Sequence, residues 1–516
     1  MRTRLLVDTD EHKHRVERDG SKGIRRHAVD FAALIDGDDC DPGRETSHRL
    51  AKFDGGEAEF AEVVGHVMQH NSNAAKAGAM ASNGQVLACP LSSFWPKVGR
   101  TDAGVSRSYE NKTEDFNAMP AGSTIGIATT GLLNETSPPI SREVAQQLFA
   151  ADNVLLPDLL AAAQSIRARF KPGAITYSRK VFIPLTNLCR DYCGYCTFRR
   201  DPSQPGAHTM TPDEVMAVVC EGERLGCSEA LLSLGDKPEL AFPEMRETLR
   251  HLGYKSTLQY LESICEKILR ESSLLPHPNP GLMSDEWLRR LAQVAPSMGL
   301  MLETTSTRLL AKNAAHDNAP DKVPAKRLRV IEDAGRRKIP FTTGILIGIG
   351  ETIEERVDTL MTIRELHERF GHIQEVIVQN FRAKPDTPMA GCPEPGRDEM
   401  LRTLAVARLL MPEMNIQAPP NLSDPHYADL LDAGINDWGG ISPLTPDFIN
   451  PEKPWPHLDE LRCRTETKGF ELRQRLPVYP EFVSQAATQS ELLRERLAQP
   501  TPKVAGFENQ SLGGTA

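Results

Sequence analysis

Between Lys180 and Ser442, short apolar runs alternate with amphipathic helical stretches, and the alternation repeats eight times. The runs are Val181–Pro184, Glu229–Leu234, Leu274–Pro276, Gly299–Leu302, Phe341–Ile347, Glu375–Val378, Asn415–Ala418 and Ile435–Gly440. A period near 3.6 fills the gaps, as in Pro212–Arg224, Leu258–Glu271, Ser284–Val294, Lys326–Arg337, Ile353–Arg369, Arg397–Leu410 and Pro425–Leu431. Short, continuously apolar strands joined by helices make parallel sheets, because each crossover covers a sheet face. Eight such units predict an α/β fold: a (β/α)8 barrel of the TIM type, closed or nearly so.

A barrel places its chemistry at the C-terminal ends of its strands. Each run here is followed by a polar or glycine-rich cluster, from Thr186-Asn187 and Gly235-Asp236 round to Ser442–Thr445. The flanks read differently. Residues 1–135 are rich in Asp, Gly, Ala, Asn and His and predict a loosely ordered extension, with helix-like patches at Arg25–Leu34 and Glu57–His70. The run Gly122–Gly131 lacks the lysine of a phosphate loop. Residues 136–172 predict a helical lead-in with an N-cap at Ser141, and residues 173–485 the barrel. A last helix is expected over Leu458–Arg475, and residues 486–516 form a tail expected to fray from about Ser490.

Composition excludes several classes. Lys+Arg 60 against Asp+Glu 70 gives a net charge of −10, against broad nucleic-acid binding. No stretch of ~18 apolar residues predicts a membrane span, and the first residues lack an apolar signal core, so a cytoplasmic protein is expected. Ten cysteines are too sparse for a disulfide scaffold, yet three fall at Cys189, Cys193 and Cys196.

That C-x3-C-x2-C spacing follows a strand and brings three thiolates towards one centre. Soft thiolates select zinc or iron–sulfur. Structural zinc wants four ligands, commonly two C-x2-C pairs, and the next cysteines are as far as Cys220 and Cys227. A cubane on three thiolates keeps one iron open for a small molecule. Zinc, or plain buried cysteines, stand as the alternatives. Cysteines 40, 89, 220, 227, 265, 392 and 463 read as small buried hydrophobes.

With Tyr195 before the third cysteine, the segment resembles the radical S-adenosylmethionine (SAM) signature C-x3-C-x-aromatic-C. The resemblance implies a [4Fe-4S] cluster on Cys189, Cys193 and Cys196 with SAM at the open iron, and Tyr195 among the cofactor contacts. Gly235, Asp236 and Glu239 stand where that superfamily carries a Gly-Gly-Glu-like element for the methionyl ammonium. An ammonium needs a charged acceptor. Gly344, Gly348 and Glu351 resemble its G-x-I-x-G-x-x-E element near the adenine. Glu303 is a candidate ribose or methionine contact, and Arg327 or Arg329 a candidate for the SAM carboxylate.

The stretch from Ile175 to Leu461 further resembles the first-subunit (CofG) family of FO synthase, the 7,8-didemethyl-8-hydroxy-5-deazariboflavin synthases. The motifs are 187–198, Leu234-Gly-Asp-Lys-Pro-Glu239, His277-Pro-Asn-Pro-Gly-Leu-Met283, Leu302–Ser306, Thr343–Thr352, Gln379–Pro385, Gln417–Leu422 and Gly434–Pro443. Asp236 departs from the expected Glu. The resemblance implies a small-molecule substrate, an adduct of a tyrosine-derived hydroxybenzyl group and 5-amino-6-ribitylaminouracil. A CofH-like partner makes the adduct, and a reductant serves the cluster. A 5′-deoxyadenosyl radical takes a hydrogen atom, the ring closes, ammonia leaves, and FO of the coenzyme F-420 pathway results. Gln379, Asn380, Arg382, Lys384, Asn421 and Asn436 supply donors and acceptors for a ribityl chain and uracil edge, and Trp438 a stacking surface. His277 and Asp437 are candidates for proton transfer. The competing readings are another radical SAM enzyme of the CofH or menaquinone-pathway type, and a non-catalytic iron–sulfur protein.

Overall fold

A computed structural model describes residues 139–499, apart from positions 152 and 424. The expected N-terminal extension, its helix-like patches and the glycine run lie outside the described residues. Within them, eight strands are β1 (Ile175–Thr186), β2 (Glu229–Leu234), β3 (Leu275–Asn279), β4 (Met298–Gly299), β5 (Phe341–Ile347), β6 (Ile373–Asn380), β7 (Ile416–Gln417) and β8 (Asp437–Ile441). Their hydrogen-bonded order is β3-β2-β1-β8-β7-β6-β5-β4, all parallel, so the ring is shut at β1–β8 and has no ladder between β3 and β4. This is the expected barrel, nearly closed.

Local chemistry explains where elements begin. Thr211 and Thr352 each form a capping box with Glu214 and Glu355, and Ser141, Ser256 and Ser284 cap three further helices. Strand β4 is short because its pairing to β5 continues only as isolated bonds, Leu300 N to Thr342 O at 3.0 Å and Glu303 N to Gly344 O at 2.9 Å. Glu303 itself has φ +66°, a left-handed conformation that ends any regular strand.

Three expectations need correction. The last helix stops at Thr467, because Gly469 takes φ +83° and turns the chain. Leu472–Arg475 then forms β9, which pairs in parallel with β1 from Ile175 to Ser178. The tail does not fray at Ser490: its hydroxyl caps a helix over Glu491–Ala498, and Leu493 is buried. The stretch expected as a helix from Pro425 is a 3-10 helix over Tyr427–Ala433.

The β9 excursion matters for the site, because it delivers Arg475 to the base of the barrel. There Arg475 binds both oxygens of Asp437 (2.6 and 2.9 Å) and reaches Glu375 at 2.8 Å. Tyr479 donates to the same Glu375 at 2.9 Å. The barrel is thus plugged below by a charged network and open above. No helix among the described residues is long and apolar enough to cross a membrane.

Candidate active site

A cavity of about 370 Å³ runs up the barrel interior from this network to the loop after β1. Cys189, Cys193 and Cys196 all line it. Backbone bonds from three directions hold their loop: Arg190 N to Asp236 O (3.3 Å), Gly194 N to Ala315 O (2.8 Å) and Met389 N to Gly194 O (3.0 Å). The end of β2 comes so close that a Cβ on Gly235 would stand 1.9 Å from Leu188 O, so only glycine fits.

The donor set suits a cluster. Cys189 Sγ accepts from the backbone N–H of Asp236 at 3.2 Å and of Asp191 at 3.4 Å, bonds that favour a thiolate. Burial acts against the thiolate, pushing Cys189 up to about 12 and Cys193 well above its usual range. A bound cationic centre removes that penalty. Among the described residues, the ligand atoms gathered within 4.8 Å of one another are those of Asp191, Asp236 and Asp321. No other described cysteine lines the cavity.

Glu303 is the hub beside this loop. Its Oε2 accepts from the Tyr195 hydroxyl (2.5 Å) and stands 3.1 Å from His316 Nε2, while Oε1 pairs with Lys322. Burial raises its pKa, but the Lys322 ammonium, His316 and Arg327 outweigh burial and hold the carboxyl well below its ordinary range. Burial, joined by the Glu303 charge, keeps the Tyr195 phenol protonated well above its usual value. Both oxygens of Glu303 are therefore committed to the protein. It positions the cysteine loop and still lines the cavity, where the expected ribose or methionine contact would be made. Lys322 and His316 were missed in the sequence. Their signal was the polar loop after β4, at the chemical end of the barrel.

The remaining cofactor candidates divide. Asp236 lines the cavity, accepts from Leu282 N at 2.9 Å and pairs with Lys237 at 3.0 Å. Burial raises its pKa to about 6 against the pull of Lys237. Glu239 does not reach the cavity: its carboxylate accepts from Thr257 N (3.2 Å) and Thr257 Oγ1 (2.6 Å), capping a helix. Gly344 lies against β6, where a Cβ would meet Ile377 O at 2.1 Å. Gly348 has φ +88° and packs on Pro395. Glu351 accepts from Gly348 N (2.9 Å) and Ile349 N (3.0 Å) and pairs with Arg356 at 2.6 Å, so it ties its own loop. From that motif it is Leu346 that faces the cavity. Arg327 lines the cavity and donates to Met301 O at 2.8 Å, whereas Arg329 pairs with Asp333 on the outside.

On the substrate side, Gln379, Asn380, Arg382 and Lys384 line the cavity as expected. Lys384 donates to Ile449 O at 2.8 Å, and Arg382 pairs with Glu394 at 3.0 Å. Asn380 Nδ2 donates to Leu422 O at 3.0 Å while its buried Oδ1 has no partner. Two other candidates turn away: Asn421 binds Asp447 and Lys453 O, both at 3.0 Å, and Asn436 knots Arg408, Ile416 N and Asn415 at 2.9 Å each. Trp438 lines the cavity, and its indole N–H donates to Thr465 at 3.1 Å while its ring meets Tyr427 in a T-shaped pair.

The two proton-transfer candidates also part. Asp437 is the first residue of β8, fully buried in the Arg475 pair, and does not line the cavity. His277 does line it. Its Nδ1 lies 2.7 Å from Ser297 Oγ, and Ser297 in turn donates to Pro477 O at 2.9 Å. The serine proton is thereby used, so Nδ1 carries the ring hydrogen and Nε2 presents a lone pair. Burial pushes His277 down to about 4, leaving the ring neutral.

The profile of the radical SAM superfamily matches residues 183–363. Over 309 residues the chain is 50% identical to the 7,8-didemethyl-8-hydroxy-5-deazariboflavin synthase of Methanopyrus kandleri, covering 60% of this chain and 92% of that protein. The chain belongs to this radical SAM family. As a radical SAM protein it takes a [4Fe-4S] cluster and SAM as cofactors. FO synthase of Streptomyces avermitilis is 54% identical over 350 residues, 66% of this chain and 41% of that one. The chain thus spans about two fifths of the length of this longer relative. The barrel is shared with methylornithine synthase (TM-score 0.54, 19% identity, 67% of this chain and 97% of that one). It is also shared with the hydrogenase maturase HydG (TM-score 0.57, 18% identity, 71% and 82%). Those two likenesses concern the radical SAM barrel fold alone.

Proposed function

We propose that the chain forms FO from the hydroxybenzyl–ribityliminouracil adduct, with release of ammonia, as the first-subunit half of FO synthase chemistry. The observation that carries this reading is 50% identity across 92% of a protein named 7,8-didemethyl-8-hydroxy-5-deazariboflavin synthase. Cys189, Cys193 and Cys196 hold the cluster, and Asp236 at the β2 end faces SAM. When bound, the two cofactors supply a 5′-deoxyadenosyl radical that removes a hydrogen atom from the substrate. The barrel orients the adduct below that point and excludes water from it.

Gln379, Asn380, Arg382 and Lys384 take the polar parts of the adduct. Neutral His277 offers Nε2 to accept a proton during ring closure. A CofH-type partner supplies the adduct and a low-potential reductant serves the cluster, in a cytoplasm that keeps the thiols reduced. The test combines reconstituted protein, such a partner, tyrosine, 5-amino-6-ribitylaminouracil, SAM and dithionite under anaerobic conditions. FO fluorescence that requires this chain is expected. 5′-Deoxyadenosine without FO would overturn the assignment, and neither product would point to a non-catalytic iron–sulfur protein.

A further inference from the structure

We propose that Lys180 is a substrate-binding residue whose ammonium holds a carbonyl oxygen of the uracil-type ring midway down the barrel. The identity of the ring rests on the proposed function, while the need for an electron-rich oxygen rests on the cavity itself.

Lys180 stands on β1, lines the cavity and is 7% exposed. Its Nζ lies 4.9 Å from the Trp455 ring and 5.5 Å from the Phe182 ring. It forms no hydrogen bond and no ion pair among the described residues. The acids around it are engaged elsewhere. Asp447 takes Asn421, Asn450 and Ile449 N, all at 3.0 Å. Glu375 takes Arg475 and Tyr479, and Glu229 takes Ser178. The lysine's place is built for it: a Cβ on Gly440 would meet Lys180 Cδ at 2.3 Å, so glycine there makes room for the stem.

The Trp455 and Phe182 rings face the ammonium but accept none of its hydrogens as an oxygen would, and such buried donors are sustained where a ligand completes them. Two further residues that line the cavity carry a buried polar atom without a hydrogen-bond partner: the Trp455 indole N–H, a donor, and Asn380 Oδ1, an acceptor. A cyclic imide edge presents carbonyl, N–H and carbonyl. Two donors and an acceptor are its complement. Ribityl hydroxyls, which donate as readily as they accept, do not call for a cation.

The probe is FO, which carries this ring and fluoresces. Its equilibrium binding is measured on the full-length, cluster-loaded protein, for the parent and for K180M. We expect K180M to bind FO at least about tenfold more weakly, as for loss of a charged hydrogen bond, with cluster absorbance and SAM affinity unchanged. Reductive methylation of the parent, read by peptide mass spectrometry, needs no variant: FO should slow labelling of Lys180 and leave exposed Lys255 unaffected. Equal FO binding by parent and K180M, or undiminished labelling of Lys180, overturns this proposal alone. No FO binding by the parent overturns the proposed function and this proposal with it.

Discussion

Tyr195 donates its hydroxyl to Glu303 Oε2 at 2.5 Å, joining the three-cysteine loop to the end of β4 across the open side of the barrel. The bond is made to a buried, charged acceptor, so Y195F should destabilise the cluster-free protein by about 1.5–3 kcal/mol. E303Q should be worse, about 3–5 kcal/mol, because it strands the buried Lys322 ammonium. Urea midpoints of the three proteins check both values. Unchanged midpoints would mean that the hub does not hold the loop.

At the other end of the barrel, Asp437 pairs with Arg475 and does not line the cavity. D437N should lower stability by about 3–5 kcal/mol, since it removes one of the two buried carboxylates that face the Arg475 guanidinium. The fraction that folds and loads a cluster should still cleave SAM at the parent rate. Parent stability with lost turnover would restore Asp437 as a proton-transfer group.

Acid should draw stability from the barrel through its buried histidines, against the opposite pull of the raised carboxyls of Glu375 (about 7) and Asp236 (about 6). Burial pushes His277 down to about 4 and His372 down to about 3. Both take up a proton in the unfolded chain near pH 6.5, so the unfolded state binds more protons than the fold as pH falls below that value. Stability is fully present above about pH 6.5 and declines towards pH 4, by on the order of 3 kcal/mol for His277 alone. Thermal melts of the cluster-free protein between pH 5 and 7 should show this slope, and H372Q should flatten it. A level parent profile, or an H372Q profile parallel to it, would contradict the assignment.

Gly235 tests the fit between β2 and the cysteine loop. G235A places a methyl on Leu188 O and should displace Cys189, with iron content after reconstitution falling at least severalfold. G396A meets nothing within 4 Å and sits at a helix N-cap far from the cysteines in sequence, where alanine should cost roughly 0.5–1 kcal/mol and leave iron loading intact. Equal iron in both variants would show that the close approach is dispensable.

Most of the barrel was legible because strands buried on both faces read as unbroken apolar runs, and because capping residues such as Thr211, Ser284 and Thr352 mark helix starts. The cysteines were legible because three ligands from one loop are local in sequence. What failed was non-local or depended on strand phase. Leu458–Arg475 reads as one helix unless Gly469 is known to turn, and β9 exists only because β1 has a free side at Ile175–Ser178. Asn436 and Asp437 were expected to meet the substrate, yet β8 starts at Asp437, so both lie at its base, away from the chemical end of the strand. Glu239 and Glu351 sit in the right motifs but cap a helix and tie a loop, roles fixed by partners such as Thr257 and Arg356. Lys180 escaped notice just before an apolar run, where its lack of a hydrogen-bond partner is visible only in three dimensions.

The most direct test of the account is anaerobic reconstitution of the parent and of C189A, C193A and C196A, with iron, sulfide and 5′-deoxyadenosine measured after SAM and dithionite are added. About four irons per chain and SAM cleavage are expected for the parent, with cleavage lost in every variant. Zinc in place of iron, or any single variant that still cleaves SAM, would contradict a cluster held by these three thiolates.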